Sequence, residues 1–118
     1  MQPTINAAYV TVKNLDRAIA FYEDIFETKI AKYDKRMTEL RIDNFTLLLY
    51  DPKVDNWEPT KGDNVVLNIA VDGVDAFFPR IQEMGCTIIM PVTEIGPDKF
   101  FQAEDTEGNI LEFYQVYA

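Results

Sequence analysis

Apolar positions along the chain follow two alternating periods, and the order of those periods sets out the elements. Ile5 to Val12 is rich in β-branched residues, with Ala8, Val10 and Val12 on one face, which predicts a strand. Leu15, Ala18, Ile19, Tyr22, Ile25 and Phe26 then recur at helical spacing and give one apolar stripe. Asn14 stands where a cap is wanted, with Arg17 where a capping box would carry Glu, so the predicted cap is half made. Three short strands are expected at 29–34, 37–42 and 45–50, with Asp43-Asn44 as a tight turn between the last two.

After a loop over 51–63, broken by Pro52, Pro59 and Gly62, the series restarts. A strand is expected over 65–71 and a helix over 74–84, closed by Gly85. Strands follow at 87–90, 99–103 and 110–117. Pro79 predicts an irregular middle or a late start for this second helix.

The halves superpose at an offset of 59: Val10 on Ile69, Val12 on Val71, Leu15 on Val74, Asp16 on Asp75 and Thr28 on Thr87. Later the offset is 64, which lays 47–50 over 111–114. Any two α+β halves share some periodicity, but paired identities with one small shift favour a duplication. The expectation is an α+β chain of two βαβββ modules, about 1–51 and 64–118, joined by loop 52–63 in one domain over 1–118. Val10, Val12, Leu47, Leu49, Leu67, Ile69, Val71, Leu111 and Phe113 form a uniformly apolar set fit to pack on helices. The alternate set mixes chemistry, with Tyr9, Leu48, Tyr50, Asn68, Glu112 and Tyr114 among it. Such a face is suited to a ligand cavity, a cleft of mixed sheets.

Composition removes whole classes of function. The 118 residues carry 20 Asp+Glu against 11 Lys+Arg, a net charge of −9, which argues against nucleic acid and anionic membrane surfaces. With no histidine, His-based zinc sites, Ser-His-Asp and Cys-His nucleophiles and the two-His-one-carboxylate iron site cannot be built. Cys86 alone makes no disulfide framework, has no adjacent base to activate it, and is expected to be a small buried hydrophobe. No apolar run reaches membrane-spanning length and the first residues lack signal-peptide character, so a soluble cytoplasmic protein is expected.

The stretches 12–22, 71–76 and 101–112, the last containing Glu104-Asp105-Thr106-Glu107-Gly108-Asn109, carry a resemblance in order and spacing. The chain resembles the vicinal oxygen chelate superfamily, which groups glyoxalase I, bleomycin-resistance proteins and extradiol dioxygenases. Asp105, Gly108 and Asn109 look like that family's terminal hairpin and read as structural, because Gly108 suits a positive-φ turn position. The resemblance implies four metal-ligand points at Ala7, Leu48, Val66 and Glu112, of which only Glu112 can donate. One carboxylate does not hold a first-row metal, so no metal or other cofactor is expected.

Two readings of Glu112 stay open: a pocket carboxylate that anchors a ligand or acts as acid or base, or a residue held by a Tyr or Asn hydrogen bond. Tyr9, Tyr50, Tyr114 and Asn68 are candidate ligand contacts on the same face, and Trp57 is a candidate lid, subunit contact or loop anchor. The resemblance then implies a metal-independent small-molecule-binding protein of the bleomycin-resistance type that sequesters a ligand, cationic by the charge balance, as a homodimer. The alternatives are a lyase, an isomerase or a degenerate metal enzyme using Glu112, and a non-catalytic partner module.

Overall fold

A computed structural model describes residues 2–56, 58–60 and 65–116, the last by its backbone alone. The chain divides into two compact units, Met1–Thr60 and Lys61–Ala118. In the first, β1 (Ala7–Thr11) leads into α1 (Leu15–Phe26), followed by β2 (Met37–Ile42) and β3 (Phe45–Tyr50). In the second, β4 (Leu67–Ala70) leads into α2 (Val74–Glu83), followed by β5 (Ile88–Ile95), β6 (Asp98–Glu104) and β7 (Ile110–Val116). The sheets have the orders β1-β3-β2 and β4-β7-β6-β5, with β1 parallel to β3, β4 parallel to β7, and the other pairs antiparallel.

In unit 1 the Asn14 side chain accepts the Arg17 backbone N–H at 3.1 Å and starts α1 as its position predicts. The apolar stripe then buries Ala18, Phe21, Tyr22 and Ile25, while Leu40, Leu47 and Leu49 bury the inner sheet face. Glu27 ends the helix in the left-handed region, at φ 51°. The hairpin between β2 and β3 turns at Asp43, also at positive φ, a conformation short polar side chains tolerate.

The strand expected at 29–34 is absent. That segment makes one isolated bridge, Lys32 to Glu39, and the Ala31 N–H donates to the Glu39 carbonyl. Side chains take over the backbone groups a strand would use. Glu23 accepts the Ile30 N–H at 2.9 Å, and Asp34 accepts the N–H of Arg36 at 2.8 Å in a local turn. Buried Thr38 both donates to the Asp34 carbonyl and accepts the Asp34 N–H. These bonds bend the chain before a ladder can propagate. Module 1 is therefore βαββ, and only module 2 has the full βαβββ set.

In unit 2, α2 runs through Pro79 without the late start or irregular middle expected of it. Pro79 is exposed, and its missing N–H forgoes only the bond back to the Asp75 carbonyl. Gly73 precedes the helix without a side-chain cap. The Gln115 side-chain oxygen of β7 accepts the Val74 N–H at 2.5 Å instead. Phe77 packs on Phe113, Phe78 on Phe101, and Phe101 stacks on Phe113, with ring centroids 5.0–5.1 Å apart.

Strand β5 is longer than the expected 87–90. It continues through Pro91 by two register shifts against β6, which an edge strand accommodates because its outer N–H groups need no partner. Strands β1 and β4 are shorter than expected, and Val66 lies outside β4. The predicted loop holds a short 3-10 turn, Pro52–Asp55, capped by Asp51. Among the described residues, no helix is long and apolar enough to cross a membrane.

Candidate functional site

The sequence candidates fall into two groups, one on each sheet. On unit 1, Tyr9 stands in register with Leu48, and Leu48 with Glu39. Tyr9 is 52% exposed, and its ring meets that of Tyr50 edge to face at 5.4 Å. Tyr50 is buried and engaged within its own unit. Its hydroxyl donates to Asp55 at 2.5 Å, and the Arg36 guanidinium lies 5.4 Å from its ring centroid. Arg36 also donates to Asp55 at 2.9 Å. The Tyr50 hydrogen bond, aided by Arg36, holds the Asp55 carboxyl below the usual carboxylate range against a desolvation cost. Tyr50 thus ties the strand end to the 3-10 turn. Trp57, the candidate lid, lies outside the described residues.

On unit 2, sheet register brings two of the predicted residues side by side and adds a third. Asn68 pairs with Glu112 across β4 and β7, and Glu112 pairs with Gln102 across β7 and β6. The Gln102 amide donates to Glu112 Oε1 at 2.9 Å, with both side chains half-buried. Among the described residues, Gln102 and not a Tyr or an Asn makes that bond. One step along the strands, Tyr114 sits between exposed Ala70 and half-buried Phe100. The opposite face of the same strands carries buried Leu111, Phe113, Phe101 and Ala103, as the alternation predicts.

The hairpin from β6 to β7 fixes this register. Asp105 Oδ1 accepts the backbone N–H of Glu107 and of Asn109, each at 2.8 Å, and Oδ2 accepts the Asn109 side-chain amide at 2.9 Å. Gly108 takes φ 84°, where a Cβ would be strained. Asp105, Gly108 and Asn109 are structural, as expected of them. Cys86 is half-buried, and burial, reinforced by the Asp105 charge, pushes its thiol above its ordinary range. That is the opposite of what an activated nucleophile needs.

The donor chemistry does not suit a first-row metal. Of the points implied by the resemblance, Ala7, Leu48 and Val66 offer no side-chain donor, and Glu112 offers one carboxylate. Among the described residues, no three Cys, Asp or Glu side chains come together where a metal ion could sit.

A family model described as the Glyoxalase/Bleomycin resistance protein/Dioxygenase superfamily matches residues 4–113. The chain belongs to that superfamily. A glyoxalase/bleomycin resistance protein/dioxygenase family enzyme from Burkholderia phytofirmans PsJN is similar over 95% of this chain and 98% of its own, at 18% identity and a TM-score of 0.83. Lactoylglutathione lyase from Agrobacterium tumefaciens is similar over 97% of this chain and 94% of its own, at 20% identity and a TM-score of 0.70. TioX from Micromonospora sp. ML1 is similar over 98% of this chain and all of its own, at 17% identity and a TM-score of 0.69. At such identities the likeness establishes the fold alone. No curated protein sequence matches the chain.

Gln102 was not among the sequence candidates, although its signal was present. A hairpin closed at Asp105 and Asn109 places Gln102 opposite Glu112 by counting outward along two antiparallel strands.

Proposed function

We propose that this superfamily member binds a small molecule without a metal, in the manner of bleomycin-resistance proteins, and sequesters it rather than transforming it. The observation that carries the reading is the Asn68–Glu112–Gln102 row: a half-buried carboxylate steadied by one amide and flanked by a second. Of the positions where metal-binding relatives are implied to place ligands, only that of Glu112 carries a donor side chain. A cationic group on the ligand supplies the missing positive charge. Tyr114 and Phe100, one step along the sheet, supply apolar contact. The reading includes a cytoplasmic location, and a homodimer whose mass size-exclusion chromatography with light scattering tests directly.

The test of function is calorimetric titration with a cationic glycopeptide of the bleomycin type, in parallel with elemental analysis of freshly purified protein. Saturable one-site binding that leaves the ligand chemically unchanged, by protein containing no stoichiometric transition metal, supports the reading. A stoichiometric metal, or conversion of the bound ligand, replaces it with the alternative of an enzyme that uses Glu112.

A further inference from the structure

The outward face of the second sheet is chemically one-sided, and this narrows the ligand beyond "cationic". Its carboxylates are Glu112, Glu104 and Asp98, and among the described residues it carries no lysine or arginine. Lys99, the one cation on these strands, belongs to the opposite face, where it pairs with Asp75 of α2 and with Glu94. The first sheet differs, because Arg41 stands in register with Thr46 there.

The row containing Glu112 also has a direction. Gln102 spends an N–H on Glu112 Oε1, which leaves the Gln102 carbonyl oxygen and Glu112 Oε2 as acceptors. The two acceptor groups are carried by neighbouring strands about 5 Å apart, and such a pair suits a flat group with several N–H donors better than a single point charge. A quaternary ammonium has no N–H to give and is better held by an aromatic cage than by carboxyl and amide oxygens. The Ala70–Tyr114–Phe100 row lies two residues farther along the strands, about 7 Å away. Ala70 is the small member of that row, so a ring can lie over it with Tyr114 as its wall.

We propose that the second sheet's outer face recognises a planar, N–H-bearing delocalised cation, of the amidinium or protonated amino-heteroaromatic class, attached to an aromatic body that reaches about 7 Å from the charge. This rests on the binding function proposed above and specifies its ligand. The cation's N–H groups donate to Glu112 Oε2 and to the Gln102 carbonyl oxygen, Asn68 contacts its edge, and the aromatic body lies over Ala70 against Tyr114. Gln102 is a positioning residue, since it holds Glu112 in place while also presenting an acceptor.

The test titrates the full chain by calorimetry with 6-amidinoindole, with phenyltrimethylammonium as a cation lacking N–H groups, and with indole-6-carboxylate as a ring of opposite charge. The expected result is saturable binding of 6-amidinoindole alone. Glu112→Gln is expected to weaken it about tenfold or more, as loss of a charge-assisted hydrogen bond implies. Gln102→Leu is expected to weaken it several-fold while leaving the thermal midpoint of the free protein near that of the parent. Phenyltrimethylammonium binding as well as 6-amidinoindole, or equal binding to the parent and Glu112→Gln, overturns the proposal. If both indoles fail while the cationic glycopeptide binds and depends on Glu112, this ligand class is wrong and the binding function stands. If nothing binds through Glu112, both fall. Because the comparison among probes uses the unaltered chain, the outcome holds even if a variant folds poorly.

Discussion

Replacing Asp105 by Ala removes the acceptor for two backbone N–H groups at 2.8 Å and for one side-chain amide at 2.9 Å. Hydrogen bonds to a charged acceptor each contribute about 1.5–3 kcal/mol when both partners are shielded. Glu107 and Asn109 are only half-buried, so their freed N–H groups recover part of that in water. The expected loss is about 2–4 kcal/mol, a large share of the ~5–15 kcal/mol that holds an ordinary domain together. Asp105→Asn keeps one oxygen for the two backbone groups but sets an NH2 against the Asn109 amide, so its loss should be about half as large. Urea denaturation followed by circular dichroism measures both variants, provided the slope with denaturant stays constant. A loss below about 1 kcal/mol for Asp105→Ala, or an Asn variant no better than Ala, would show that these hydrogen bonds do not hold the hairpin. The same substitution should also weaken ligand binding, because the hairpin sets Gln102 opposite Glu112.

Other consequences follow from single contacts. Gln115→Leu leaves the Val74 N–H without its cap and should cost about 1 kcal/mol in the same urea assay. Adding Gly73→Ser should recover much of that loss, since Gly73 already has extended geometry and room for a Cβ. Glu27→Gly should stabilise the protein by about 1 kcal/mol, because Glu27 ends α1 at φ 51°. Tyr50→Phe removes the hydroxyl that most lowers the Asp55 carboxyl. A carboxyl depressed in the folded state stabilises at pH above its ordinary 3.8, and that stabilisation is lost as pH falls through the depressed value. The gap in thermal midpoint between parent and Tyr50→Phe should therefore be present at neutral pH and close below about pH 4; a gap independent of pH would contradict this.

The parts of the fold that were legible in the sequence are those fixed by neighbours along the chain. Asn14 caps a helix three residues away, and Gly108 and Asp105 shape a turn of which they are themselves members. The alternation along β3 and β7 sorts buried from open positions because its period is intrinsic to the strand. What escaped depends on distant partners. The cap on α2 comes from Gln115, 41 residues away, so nothing near Gly73 announces it. Residues 29–34 have strand-like composition, yet Glu23, Asp34 and Thr38 capture their backbone groups. β5 outruns its apolar stretch because β6 templates it past Pro91. At the candidate site, strand parity alone put Glu112, Asn68 and Tyr114 on one face, whereas Gln102 needed the hairpin register as well.

The account turns on Glu112 acting as the anchor for a positively charged ligand without help from a metal. The most direct test is a calorimetric titration with the cationic glycopeptide, carried out in excess chelator on the parent and on Glu112→Gln. The account predicts one-site binding by the parent in chelator and at least about tenfold weaker binding by the variant. Binding that chelator abolishes, or that Glu112→Gln leaves unchanged, would contradict it.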